Sequence, residues 1–330
     1  MTVTRTLIAA DTPFEVISVD LPAMRVTLLS LGAAIHQVEV PDADGVLGAV
    51  HLELPHLADY ADATLNPHLG ATVGRYANRI SGGCFALDGR SYALDVNNGP
   101  HTLHGGHLGF DRLAWDVVEA GGDDLQASVT FALHSPDGDM GFPGAVEARV
   151  TYLISPGRIA IEMAATSDRP TVVSLANHGY WNLDGSDTIA HHRLEVAAEQ
   201  RLVMDKAQIP CGITEVAGTA YDLRTSQELG PILRETGGLD DCYLPEGAGM
   251  RHMATLRGAT SGRVMTVSSD APGLQVYTGN SLHPPFAVHQ SVSLEAQRLP
   301  DAPNQPDLGP CILRPGEEYA TTTLLEFTTA

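Results

Sequence analysis

Positive charge is scarce in this chain of 330 residues: 19 Lys and Arg stand against 40 Asp and Glu, for a formal charge of −21. No stretch gathers the cations into a cluster, so the field repels phosphate backbones and anionic headgroups. Nucleic acid and membrane are therefore poor partners. A neutral substrate suits this field better than a phosphorylated one, unless a local basic pocket overrides it. Cysteine is also sparse. Cys84, Cys211, Cys242 and Cys311 lie far apart with no C-x-x-C pair, the usage of reduced thiols in a cytoplasmic protein rather than of a two-disulfide framework. The opening MTVTRTLIAADTPFEV has no basic start followed by a long apolar core, so it does not read as a signal peptide. No apolar run approaches the roughly 18 residues of a transmembrane helix. G-x-S-x-G, P-loop and H-E-x-x-H motifs are missing as well.

What is present is mostly strand. Val146, Ala148, Val150, Tyr152 and Ile154 alternate with polar or smaller neighbours, and Ile159, Ile161 and Met163 do so after Pro156-Gly157. Two period-2 runs around a Pro-Gly turn predict a β-hairpin. Similar runs occupy 25–40, 129–134, 171–177, 193–196, 263–268, 274–278, 291–297 and 321–328, mostly separated by Gly, Pro, Asn or Asp clusters. Short helices are expected only around 56–62 and 226–235. Many strands with few helices predict an all-β antiparallel sandwich or barrel. Without a repeat, linker or composition break, residues 1–330 read as one domain.

Four segments carry groups fit for chemistry. In 291–297, alternation sets Val292, Leu294 and Ala296 on one face and Ser291, Ser293, Glu295 and Gln297 on the other. Glu295 then faces either solvent, as most carboxylates do, or a cleft shaped by the Pro-rich RLPDAPNQP that follows. In SLANHGYWNL, His178 ends an apolar strand beside Tyr180 and Trp181. It is either a structural histidine or a proton-transfer group flanked by rings on which a sugar packs. GATVGRYANRI offers Arg75, Asn78 and Arg79 as multi-donor groups for hydroxyls, or as surface partners of the many acids. In NNGPHTLHGGH, His101, His104 and His107 recur at spacing three. A metal site would need them to converge, and the preferred reading is a Gly-rich loop that presents His104 to a ligand.

These segments, with GFDRLAW, PGLQVYTGN and the late Glu-x-Gln…PDAPNQP, together resemble the signature segments of aldose 1-epimerases (galactose mutarotases), in the family's order from Gly70 to Pro306. The resemblance implies a large antiparallel β-sandwich of the galactose mutarotase-like supersandwich type, with a sugar cleft on one sheet. It implies an isomerase that interconverts the α and β anomers of a free monosaccharide without metal or organic cofactor, as a monomer or homodimer. By the same resemblance Glu295 is the base, His178 the acid, and Arg79, His104, Asp240, Asn78 and Gln275 contact the sugar. The chain departs from the family pattern at Asp241, at Gly179 and Trp181, and at Ala296; none removes a catalytic group, but Trp181 and the Asp241 region leave the pocket's shape, and so the preferred sugar, open. A non-catalytic sugar-binding protein on the same scaffold, a glycoside hydrolase or lyase pairing Glu295 with Asp240, and a hexose-phosphate mutarotase are the alternative readings.

Overall fold

The hairpin read from alternation is Val146–Ser155 paired with Arg158–Ser167, in a computed structural model that describes residues 1–9 and 12–330. Ala10 and Asp11, inside the N-terminal stretch read above, lie outside the described residues. The alternating side chains Val146, Ala148, Val150, Tyr152 and Ile154 are all buried. This hairpin belongs to a nine-stranded sheet that continues through Tyr319–Thr329, Arg263–Ser269 and Arg251–Arg257. A six-stranded antiparallel sheet runs in the order Tyr180–Trp181, Val292–Gln297, Gly273–Tyr277, Asp240–Leu244, Gln200–Met204, Pro210–Glu215. The N-terminal strands Thr2–Ile8 to Leu47–Ala49 form a third sheet of five.

One core cluster draws side chains from all three sheets, among them Met24, Tyr152, Ile161, Leu274, Val292 and Leu294. Burying each such side chain contributes about 1.5–3 kcal/mol, so the sheets stabilise one another face to face. The strand Val292–Gln297 is buried along its whole length. Its apolar residues enter this core while Ser293 and Glu295 face the other way. A carboxylate held on the second face of an interior strand is not a solvent residue.

Two expectations need correction. The run over 25–40 is two strands, Met24–Leu29 and Ala34–Pro41, divided by a turn in which Gly32 and Ala33 have φ of +68° and +42°. The run over 171–177 contributes only the two-residue pieces Thr171–Val172 and Ala176–Asn177, because its partners are short segments from elsewhere. The two expected helices are a 3-10 turn at Leu57–Ala61 and an α-helix at Leu229–Thr236, the latter ended by Gly237 in the left-handed region; four further 3-10 turns of three residues each among the described residues were not expected. Among the described residues no helix is long and apolar enough to cross a membrane. All four cysteines are unpaired.

Candidate active site

The outward face of the six-stranded sheet is polar where its strands meet. Antiparallel pairing sets Gln275 opposite Glu295, and Tyr277 between Asp240 and Ser293. Since alternate residues share a face, one side of three strands presents Asp240, Gln275, Tyr277, Ser293 and Glu295 together. The same alternation places Tyr180 on this face and turns Trp181 into the core, where it is 1% exposed.

Two loops wall the cleft. Arg79–Ile80 pairs with Thr102–Leu103, so Leu103 lies opposite Arg79 and His104 comes next. Asn78 and His104 are tied twice: His104 N–H donates to the Asn78 carbonyl at 3.1 Å, and Asn78 N–H donates to His104 Nδ1 at 3.1 Å. The turn requires Gly105, whose φ is +92° and where a Cβ would lie 2.0 Å from the Gly74 carbonyl oxygen. His178 is fixed by its backbone, which donates to Ala71 O at 2.8 Å and accepts from Gly70 N at 3.0 Å.

The resulting cleft, about 260 Å³, is lined by all seven residues implied by the resemblance: Glu295, His178, Arg79, His104, Asp240, Asn78 and Gln275. Its size is at the small end for ligand pockets. His178 Nε2 lies 3.5 Å from Glu295 Oε1, with side chains 6% and 2% exposed. Glu295 Oε2 and Gln275 Oε1 are buried without a hydrogen-bond partner, and such groups imply a ligand or water to satisfy them. Gln275 Nε2 donates to Asp240 Oδ1 at 2.6 Å, and Arg79 Nε donates to Asn98 Oδ1 at 3.1 Å. The ring of His178 lies against Tyr180 at 4.9 Å.

Burial pushes the Glu295 carboxyl up to about 8, with Asp240 adding to the shift and Arg79 opposing it. His178 is lowered to about 3 by burial. Desolvation of the imidazolium thus outweighs the attraction of nearby carboxylates. The two shifts together favour a shared proton on Glu295 over one on His178.

Other expected residues fall elsewhere. Arg75 is 2% exposed and donates to the carbonyls of Ser135, Pro136, Pro143 and Gly144, a structural use far from solvent. Asp241 faces away from Asp240 and pairs with Arg201 at 2.7 Å. Neither Asp241 nor Trp181 lines the cleft, so neither shapes it by direct contact. The three loop histidines do not converge: His101 Nδ1 accepts from Gly82 N, and His107 pairs with Asp95. His104, His178 and Glu295 do place ligand atoms within 4.8 Å of one another. Yet His104 Nδ1 already accepts a backbone N–H, so the neutral ring carries its proton on Nε2 and offers a donor rather than a metal lone pair. The sequence reading missed His68, which also lines the cleft. No local motif marks it.

Comparison with known proteins agrees across nearly the whole chain. The family model described as aldose 1-epimerase matches residues 15–326. The galactose mutarotase of Bos taurus is 40% identical over 321 residues, covering 93% of this chain and 92% of its own. The aldose 1-epimerase of Escherichia coli (strain K12) is 37% identical over 324 residues, covering 92% of each. A solved aldose epimerase homologue from C. elegans has a TM-score of 0.88 at 28% identity over 100% of both chains. The structure of galactose 1-epimerase from Lactobacillus acidophilus gives 0.87 at 27% over the same coverage. This chain belongs to the aldose 1-epimerase family.

Proposed function

We propose that the protein interconverts the α and β anomers of a free aldose by opening and reclosing its ring, with Glu295 as the base and His178 as the acid. The observation that carries the assignment is a buried Glu–His pair 3.5 Å apart with one carboxylate oxygen unpartnered. Mutarotation needs one proton taken from the anomeric hydroxyl O1 and one given to the ring oxygen O5. In the forward step Glu295 takes the O1 proton, the O1 electrons form the C1=O bond, C1–O5 breaks, and O5 takes the proton of His178. The aldehyde turns about C1–C2, and closure reverses both transfers. The pair holds one proton throughout.

The protonation state that burial favours, neutral His178 with protonated Glu295, is the state these roles give the ring-opened complex. A cyclic sugar reacts with that proton moved to His178. Arg79 favours the Glu295 carboxylate, and an O1–H donated to Oε2 would add to that effect. Arg79, Asn78, His104, Asp240 and Gln275 supply donors and acceptors for the sugar oxygens, and His104 Nε2–H could stabilise negative charge developing on oxygen.

Residues 1–330 act as a single domain, a reading supported by the core shared among the three sheets. The unpaired thiols support a cytoplasmic setting, and the protein acts as a monomer or homodimer. The test is polarimetry on freshly dissolved α-anomers of glucose, galactose, xylose and arabinose. Wild-type protein should speed relaxation to the unchanged final rotation, and Glu295→Ala or His178→Ala should each lose about 10²-fold or more. A folded Glu295→Ala protein within twofold of wild type would overturn the assignment.

A further inference from the structure

The proposed mechanism leaves one buried charged group beside the cleft unused. Asp111, its side chain 1% exposed, lies behind His68, and its Oδ2 is 2.8 Å from His68 Nδ1 and 2.8 Å from Arg112 Nε. Burial alone would raise its pKa, but His68 and Arg112 together hold the carboxyl below the usual range, so it accepts the ring's Nδ1–H. Arg112 Nη2 also lies near Nδ1, at 3.5 Å, and instead donates to Asn66 O at 3.0 Å. His68 takes a positive φ of 63°, uncommon for a residue with a side chain, and backbone outliers of this kind gather at functional sites. Its ring stands edge-on to His104 at 4.8 Å and lies 5.8 Å from His178.

The two neighbouring rings are complementary. His104 accepts a backbone N–H through Nδ1 and so presents Nε2–H. In its neutral form His68, donating through Nδ1, presents the lone pair of Nε2. A hydroxyl is both donor and acceptor, and one hydroxyl can satisfy both rings. We propose that His68 is a further sugar-binding residue which, with His104, grips a single ring hydroxyl of the aldose, and that Asp111 is the positioning residue that sets its tautomer. This rests on the mutarotase reading and adds a specificity contact to it.

The experiment measures kcat and KM by polarimetry for wild type, His68→Phe, His68→Asn and Asp111→Asn. The substrates are glucose, galactose and their monodeoxy analogues, one hydroxyl removed at a time. For one analogue, wild type should lose about tenfold in kcat/KM, the scale of a lost buried hydrogen bond. His68→Phe should lose a similar factor with the parent sugars, mainly through KM, and lose nothing further with that analogue. With the other analogues the losses should multiply. His68→Asn keeps a small polar group should the larger ring distort the cleft, and should show the same non-additivity. Asp111→Asn should raise KM several-fold with less change in kcat. Equal losses for every analogue in folded His68 variants, or none, would overturn the contact while leaving the mutarotase reading intact. A wild-type protein that accelerates no aldose would overturn both.

Discussion

Glu295 is costly to the fold in the form its chemistry requires. Its folded-state pKa, about 8, lies above the ordinary 4.5, so between these values the folded chain binds more protons than the unfolded one. Stability from this group therefore falls as pH rises from about 4.5 to 8 and is level above that. His178, lowered from 6.5 to about 3, has the opposite slope: its penalty is absent above 6.5 and grows as pH falls towards 3. Glu295→Gln keeps the shape and removes the first penalty. Its unfolding free energy should exceed that of wild type by a margin that widens between pH 5 and pH 8, on the order of a few kcal/mol at the upper end, with a corresponding rise in Tm. A margin that is constant with pH would mean the carboxyl titrates normally. The same titration limits the reaction. Above about pH 8 the pair loses its single proton, so wild-type kcat/KM, corrected for the spontaneous rate, should fall about tenfold per pH unit. A flat profile to pH 10 would remove the proton-sharing account.

At the scale of elements, the strand Val292–Gln297 joins core to chemistry. Leu294, 4% exposed, packs in the shared core on the face opposite Glu295. Leu294→Ala should cost about 2–5 kcal/mol in denaturant unfolding and also lower kcat, because a strand that relaxes into a cavity moves its neighbouring carboxylate. Full activity in a destabilised Leu294→Ala protein would show that the other strands alone fix Glu295. Period-2 alternation made this strand, the 146–167 hairpin and both faces of 292–297 legible in the sequence. It also contained the sorting of Tyr180 from Trp181 and of Asp240 from Asp241, since neighbours on a strand must point to opposite sides. What alternation could not tell was whether the face of Glu295 meets water. That depends on walls supplied by the Arg79 and His104 loops, about 190–220 positions away in the chain. His68 was invisible for the same reason: its meaning lies in Asp111, 43 positions on. Arg75 and Arg79 could not be separated by composition, only by finding the carbonyls that surround the first.

At the scale of the whole molecule the question is which sugars the field admits. A charge of −21 acts on a neutral aldose hardly at all, but it repels a hexose phosphate during approach, and salt weakens that repulsion. The cleft does little to offset it. Of the guanidinium groups around it, Arg112 is committed to Asp111, whereas Arg79 faces the cleft beside Asp240 and Glu295. At 10 mM salt, where the Debye length is about 30 Å, kcat/KM for glucose 6-phosphate should be at least about tenfold below that for glucose. At 150 mM, with a Debye length of about 8 Å, it should recover part of that deficit while the value for glucose stays flat. Turnover of the phosphate that matches glucose and declines as salt is added would instead reveal an attractive local site. The hexose-phosphate reading would then replace the free-sugar one, because only a cationic pocket could reverse the sign of the salt effect against so acidic a surface.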